Sequence, residues 1–354
     1  MAKILIAGAG GAPSEGVIYS LQKRKGDEIL GMGSFAYDLA LSKASKKFLV
    51  PYANEINYEE KLISLLKKEK PNLVHFQNDL EIWHASKIRE KILATGSNIF
   101  MPPHETIDKC VYKYKSYLAF KKNGLKVPKN ILLKTKADLK RAFTDLTTNS
   151  NKVWLRSATI GGGGKGSIPT SDINMATAWL DHYKGWGEFI AAEMLSEESI
   201  TWLSIWYQGD LIVAQTRKRR GWEHGNRSIS GVTGVTKVGC TCKDSMVDNI
   251  AISACKAISE VPHGIFGVDM TFDQDGIPNP TEINISRFFT TIRFFTEAGL
   301  NMPLIFRDLA LESNYSYKGE VLNPLQENLL WLRCMDGDPK LIKDKDLKSR
   351  FYTV

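Results

Sequence analysis

Residues 264–287, "GIFGVDMTFDQDGIPNPTEINISR", hold the side chains best suited to chemistry. Asp275-Gly276 is a two-residue hairpin signal. With these two as the turn, Gln274 faces Ile277, and counting outward brings Asp269 opposite Glu282. Glu282 and Asn284 stand two apart on one strand, so they share a face while Ile283 points away. Val268, Met270 and Ile283 make the other face apolar. Three hard oxygen donors thereby converge, a set suited to Mg²⁺, with nucleotide phosphates completing the shell. Pro278 and Pro280 in the second strand point to a bulge beside them.

A second stretch, "WLRSATIGGGGKGS" (154–167), suggests contact with phosphate. It is not a Walker loop. That pattern needs a glycine where Thr159 stands and a hydroxyl residue where Gly166 follows Lys165. A glycine loop between the strands "KVWLRSA" and "GSIPT" fits better, because residues without Cβ can lay backbone N–H groups over phosphates. Arg156, on the preceding strand, reaches toward the same phosphates; a mobile hairpin tip is the bland alternative. At the N-terminus "GAGGAP" (8–13) imitates a dinucleotide fingerprint, but Pro13 occupies the third glycine place. The following strand, "DEILGMG", also lacks an acidic residue at its end, so a structural turn is the better reading.

The elements that position these residues read as follows. Strand-like "KILIAGAG", "DEILGMG" and "PNLVHFQND" alternate with helix-like "SEGVIYSLQKRK" and "NYEEKLISLLKKEK", implying a parallel, doubly wound sheet to about residue 105. "MPPHET" (101–106) reads as a linker. A single helix, "IDKCVYKYKSYLAFKKNG", is expected next, with Gly124 as its C-cap. Helices near 136–147 and 245–258 and several antiparallel hairpins make the second region α+β, and residues 313–354 read as a small C-terminal extension.

The chain has 354 residues, 43% of them hydrophobic, enough for two or three domains. No apolar run approaches the ~20 residues of a membrane span, and the N-terminus lacks a signal-peptide pattern. Five scattered cysteines, including Cys240 and Cys242, read as reduced thiols in a cytoplasmic protein. The net charge of +8 is spread over runs such as "KKEK" (67–70), with a denser cluster at "RKRR" (217–220). Anionic small-molecule ligands explain this balance better than nucleic acid.

Taken together, these residues resemble the ATP-grasp superfamily, in its carbamoyl-phosphate-synthase large-chain-like branch. The resemblance covers most of the chain. It implies an N-terminal Rossmann-like pre-ATP-grasp domain (1–105) and a two-lobed ATP-grasp domain (106–312) with a lid loop at 157–167 and a hinge at 193–196. "FQNDLE" (76–81) is similar to that branch's acidic strand-end motif. On this resemblance Lys109 matches a nucleotide-contacting cation, and Arg156 a phosphate-holding arginine. Gly161, Gly162, Gly163 and Gly164 match the lid, and Glu193, Met194 and Leu195 the adenine-binding hinge. Asp269, Glu282 and Asn284 take the metal-ligand places, for Mg²⁺ with Mn²⁺ as an alternative. The ribose-binding glutamate of the family is replaced by Ser199, with Glu198 adjacent, and the arginine after the metal asparagine is displaced by one residue, to Arg287. Arg217 and Arg219 alternate on a strand and are assigned to a substrate carboxylate or phosphate, or else to a solvated basic edge.

The implied reaction is ATP-dependent ligation of a small-molecule carboxylate to an amine or similar nucleophile through an acylphosphate, carbon–nitrogen bond formation being the usual outcome. Such chemistry needs cations around the transferring phosphoryl and a lid against water rather than a catalytic triad. The rival is a nucleotide-binding regulatory or synthase-subunit protein without its own ligase activity. Neither nucleic acid nor membrane is an expected partner; a homodimer is common among similar proteins.

Overall fold

The computed structural model describes residues 1–147, 150–158, 164, 166–335 and 339–346. Three sheets organise the described residues. The first is parallel, in the order β3-β2-β1-β4, from β1 (Lys3–Ala7), β2 (Glu28–Gly33), β3 (Lys46–Leu49) and β4 (Leu73–His75). Its connections carry α1 (Ala12–Leu21), α2 (Ala36–Leu41) and α3 (Tyr58–Glu69), and α4 (Asp79–Lys87) and α5 (Arg89–Leu93) follow β4. The alternation of strand and helix thus produces the doubly wound sheet read from the sequence. The mostly exposed strand β3, "KKFL", has no apolar run to announce it.

The turn after β1 is structural. Gly10 has φ +93°, and a Cβ there would lie 1.8 Å from the Asp38 carbonyl oxygen. Its N–H donates to Glu15 Oε1 at 2.9 Å, while Glu15 Oε2 accepts from the Lys43 N–H at 2.9 Å. The carboxylate of Glu15 therefore occupies a donor that a dinucleotide site would offer to a pyrophosphate. Gly10→Ala is expected to destabilise the chain by at least about 2 kcal/mol, through the left-handed backbone and the clash together. A denaturant midpoint equal to that of wild type would contradict this.

α6 (His104–Val111) and α7 (Lys113–Lys122) replace the single helix expected from the sequence. The break falls at Tyr112, and the Lys113 N–H donates to the Ala158 carbonyl at 2.9 Å. Gly124 ends α7 as expected, at φ +75°, with its N–H bonded to Lys121 and that of Leu125 to Phe120, a Schellman closure.

The second sheet, antiparallel in the order β5-β8-β6-β7, contains β5 (Asn130–Leu132), β6 (Val153–Ser157), β7 (Ile168–Thr170) and β8 (Phe189–Glu193). α8 (Lys136–Asp145) and α9 (Ile173–His182) complete this smaller lobe, which has its own core of residues such as Leu139, Val153, Leu155, Ile168 and Leu180.

The third sheet has seven strands in the order β13-β12-β9-β10-β11-β14-β15. They are β9 (Ser199–Tyr207), β10 (Asp210–Trp222), β11 (Thr236–Cys242), β12 (Gly264–Phe272), β13 (Pro278–Ile285), β14 (Leu329–Leu332) and β15 (Lys340–Lys343). α10 (Ser245–Ile258), α11 (Ile292–Glu297) and α12 (Met302–Leu311) accompany it. β14 and β15 show that the C-terminal segment extends this sheet at the β11 edge. Ile4, Ile6, Val17 and Ile18 of the first unit share one core with Leu203, Ile205, Phe288 and Phe294, so the parallel unit and the large sheet are fused by burial. No helix among the described residues is long and apolar enough to cross a membrane.

Candidate active site

The acidic hairpin reaches the expected pairing by an unexpected route. Its loop has three residues, Gln274 to Gly276, closed by the Asp273 N–H bonding to Ile277 O at 3.0 Å, with Gly276 at φ +73°. Phe272 pairs with Pro278 and Met270 with Pro280; a bulge at Thr281 then restores Asp269 opposite Glu282. The longer turn and the bulge each shift the register by one residue, and they cancel. The bulge adjoins Pro280, whose missing N–H weakens the ladder there.

Around Asp269, Glu282 and Asn284 the charges are arranged tightly. Asp269 accepts hydrogen bonds from the Thr201 hydroxyl and, at 2.9 Å, from Asn284 Nδ2, and Arg219 Nη2 lies 3.8 Å away. Glu282 has Lys113 Nζ at 3.6 Å and Arg156 Nη1 at 3.7 Å. Burial pushes the Glu282 carboxyl upward, but Lys113, Arg156 and Arg287 outweigh it and hold the group below its ordinary value. Among the described residues no three His, Cys, Asp or Glu side chains group to hold a metal. The hard donors here are two carboxylates and one amide, so a divalent ion needs further oxygen ligands.

Arg156 projects from β6 of the small lobe onto the large sheet, where its Nη2 donates to the Thr281 carbonyl at 3.0 Å. Its Nε is buried with no hydrogen-bond partner among the described residues. Arg217 is 1% exposed, and its donors meet only hydroxyls: Thr201 at 2.8 Å, Thr291 at 2.8 Å and Thr236 at 3.2 Å. It lies over the Phe289 ring at 4.6 Å, and its Nε is also unpartnered. Burial, reinforced by Arg219, pushes its pKa down to about 9. Arg219 bonds to Ser199 Oγ at 2.8 Å and Thr236 Oγ1 at 3.1 Å and stacks on Trp222 at 3.8 Å. The alternative of a solvated basic edge therefore fails for both arginines. Cations of Lys113, Arg156, Arg217, Arg219 and Arg287 outnumber the carboxylates of Asp79, Asp269 and Glu282. Buried cations in excess, some with unused donors, suit a polyanion.

Several expected residues sit elsewhere. Lys109 pairs with Glu105 at 2.9 Å on the surface of α6, while Lys113, past the break at the start of α7, stands beside Glu282. The signal for Lys113 is a lysine at the first position of α7, where the helix dipole disfavours a cation. Gly161, Gly162 and Gly163 lie outside the described residues. Gly164, at φ +69°, lies against Val232, so that a Cβ there would stand 3.3 Å from the Val232 carbonyl oxygen. Glu193, at the end of β8, exchanges bonds with Lys129: its N–H donates to the Lys129 carbonyl, and its Oε1 accepts from the Lys129 N–H at 3.0 Å. Met194 and Leu195 are half-buried, Ser196 N–H docks on Phe272 O, and Glu198 is exposed. These residues connect the small lobe to the large sheet.

Arg287 does not face open space. Its Nε donates to Asp79 Oδ1 at 2.7 Å, and its Nη2 donates to Asn284 Oδ1. Ser286, just before it, has φ +56°, a backbone state that costs a non-glycine residue roughly 1–3 kcal/mol. Trp202 and Trp206 are fully buried in the core, so they contribute nothing to a substrate surface. Cys240 and Cys242 are buried free thiols, the latter pushed up to about 12 by burial, and so are poor nucleophiles.

Glu81 is also not a surface acid. It is 5% exposed, receives bonds from Asn78 and Tyr58, and is raised to about 7 by burial against an ordinary value near 4.5. The stability linked to this carboxyl is full below about pH 4.5 and is lost as pH rises through about 7, on the order of 2–3 kcal/mol. Glu81→Gln is expected to remove that pH dependence. Thermal melts between pH 4.5 and 8 check it, and parallel curves for the two proteins would contradict it.

Beside this centre a cleft of about 300 Å³ runs between α1, the Thr290–Arg293 segment and the C-terminal strands. Glu15, Tyr19, Lys43, Thr291, Arg293 and Arg333 line it. Thr291 connects it to the centre, because its hydroxyl accepts from Arg217 Nη1.

No family model matches the sequence. No curated protein matches it either. Solved structures do. An L-amino acid ligase from Bacillus licheniformis superposes with a TM-score of 0.67 at 12% identity, covering 94% of this chain and 79% of that one. A biotin carboxylase from Campylobacter jejuni, in complex with β,γ-ATP, gives 0.70 at 15% identity, covering 94% and 75%. A carboxyaminoimidazole ribonucleotide synthase from Aspergillus clavatus, complexed with ATP, gives 0.68 at 16% identity, covering 94% and 81%. At these identities the likeness establishes the fold, which is that of the ATP-grasp proteins with a parallel unit in front.

Proposed function

We propose that this ATP-grasp chain is an ATP-dependent ligase that activates a carboxylate as an acylphosphate and joins it to an amine or a similar nucleophile. The observation that carries this reading is the buried excess of cations around Asp269, Glu282 and Asn284, with unused donors on Arg156 and Arg217. The triphosphate lies between the lobes in this reading, and Mg²⁺ or Mn²⁺ is held by Asp269, Glu282 and Asn284. A bound divalent ion neutralises phosphate charge and polarises the transferring phosphoryl. Lys113 and Arg156 hold phosphate oxygens. Glu193, Met194, Leu195 and Glu198 serve the nucleoside, and the loop 157–167 closes to exclude water. The nucleotide complexes named for similar structures support ATP as the ligand of this fold.

In the first step a carboxylate oxygen of the substrate bonds to the γ-phosphorus, and the bond to the β-phosphate oxygen breaks, releasing ADP. In the second the amine bonds to the acyl carbon, phosphate leaves with the acyl oxygen, and the amine's proton passes to solvent. Arg217 and Arg219 orient the carboxylate. The substrate enters by the cleft beside Thr291, whose Lys43, Arg293 and Arg333 favour an acidic molecule. ATP supply and five free cysteines fit a cytoplasmic setting.

The test is ADP release from Mg-ATP over a panel of amino acids and other carboxylates, with and without amines. Release that requires both partners is expected. A protein that binds ATP but releases no ADP with any pair would contradict ligase activity and favour a regulatory role.

A further inference from the structure

We propose that Asp79 is a positioning residue for the metal hairpin, acting through Arg287 on the side-chain amide of Asn284. The inference rests on the nucleotide reading above and concerns a group that reaches the hairpin from the parallel N-terminal unit.

Asp79 is the first residue of α4 and follows Asn78, whose side chain caps that helix by accepting from the Glu81 N–H. A carboxylate there is favoured by the helix dipole. Arg287 grips it with two nitrogens, Nε to Oδ1 at 2.7 Å and Nη2 to Oδ2 at 3.5 Å. The same Nη2 donates to Asn284 Oδ1. At its other end the Asn284 amide donates from Nδ2 to Asp269 Oδ2. Both ends of the amide are thus fixed. Turning it over would set its NH₂ against the guanidinium and its carbonyl against the Asp269 carboxylate, donor to donor and acceptor to acceptor. The carbonyl oxygen has two lone pairs, so one can serve Arg287 and the other an ion.

The chain is bent to make this contact. Ser286 adopts φ +56° at the end of β13 while its N–H stays bonded to Ile265 O at 2.8 Å, and Arg287 follows directly. The next residue is clasped from the same β4–α4 connection, since Phe288 N–H donates to Gln77 Oε1 at 2.9 Å. Arg287 stands beside the metal hairpin, yet its charge is matched by Asp79, whose Oδ1 lies 2.7 Å from its Nε. Its work is therefore to aim the amide oxygen, with Asp79 holding the guanidinium in register.

The experiment measures Mn²⁺ binding by EPR in the presence of saturating ADP, and ADP binding by calorimetry without metal. Wild type, Asp79→Asn, Asn284→Ala and the double variant are compared. Asp79→Asn is expected to weaken Mn²⁺ about tenfold while metal-free ADP affinity stays within twofold. In the Asn284→Ala background the same change should have no further effect on Mn²⁺. Arg287→Lys, which keeps the charge and loses the fork, should behave as Asp79→Asn does. Equal weakening of metal and nucleotide, or an undiminished effect of Asp79→Asn without Asn284, would overturn the proposal by showing a merely structural tie. Failure of the wild type to bind Mn²⁺ with ADP would overturn the nucleotide reading itself, and this inference with it.

Discussion

Glu282→Gln is expected to lower Mg-ATP-dependent turnover by on the order of 10³-fold or more while the fold survives. The glutamine fills the same space and keeps an oxygen toward the same neighbours. What it removes is one negative charge from a centre where Lys113 and Arg156 already stand 3.6 and 3.7 Å away. Without that charge the cations repel a divalent ion, and the phosphates lose the ion that spreads their charge. Asp269→Asn should act in the same direction, because Asp269 is tied to Thr201, Asn284 and Arg219 at once. ADP production and thermal melts, measured together, check the expectation. Turnover within tenfold of wild type for both variants would remove this hairpin from the reaction.

Arg217→Met is expected to separate activity from stability. Arg217 is buried without a carboxylate directly bonded to it, and burial holds its pKa near 9. Burying an unpaired guanidinium is unfavourable, and an apolar side chain of similar length often restores several kcal/mol at such sites. Methionine can occupy the space over Phe289, and the three threonine hydroxyls can rotate to other acceptors. Turnover should fall by at least about 100-fold, and the melting temperature should stay level or rise. Wild type should also gain more stability from an added carboxylate substrate than the variant does. A variant that melts well below wild type would show that Arg217 is a structural element rather than an anion site.

The fold was legible in the sequence wherever local pattern and tertiary role agree. The alternation of apolar strands with amphipathic helices in the first unit is of this kind, whereas the Asp275-Gly276 signal marked the hairpin but not its three-residue loop. β3 escaped because it is an exposed edge with lysines and little apolar content. The break at Tyr112 escaped because it is enforced by a bond from Lys113 N–H to Ala158, 45 positions along the chain, and no local propensity encodes that. The same break brings Lys113, rather than Lys109, beside Glu282.

Within the site, counting with period two places Asp269 opposite Glu282, as the structure does, helped by two register shifts that cancel. Arg287 was visible as a cation near the hairpin, but its partner Asp79 lies 208 positions away, beyond any spacing rule. The burial of Arg217 was equally hidden, since a basic run such as "RKRR" usually marks a solvated face.

The central claim is that a substrate carboxylate attacks the γ-phosphoryl group. With a carboxylate identified by ADP release and labelled with ¹⁸O in both oxygens, mass analysis of the released phosphate tests this directly. One ¹⁸O atom transferred into inorganic phosphate, with ADP as the other nucleotide product, is the expected result. Unlabelled phosphate, or label recovered in AMP, would contradict it.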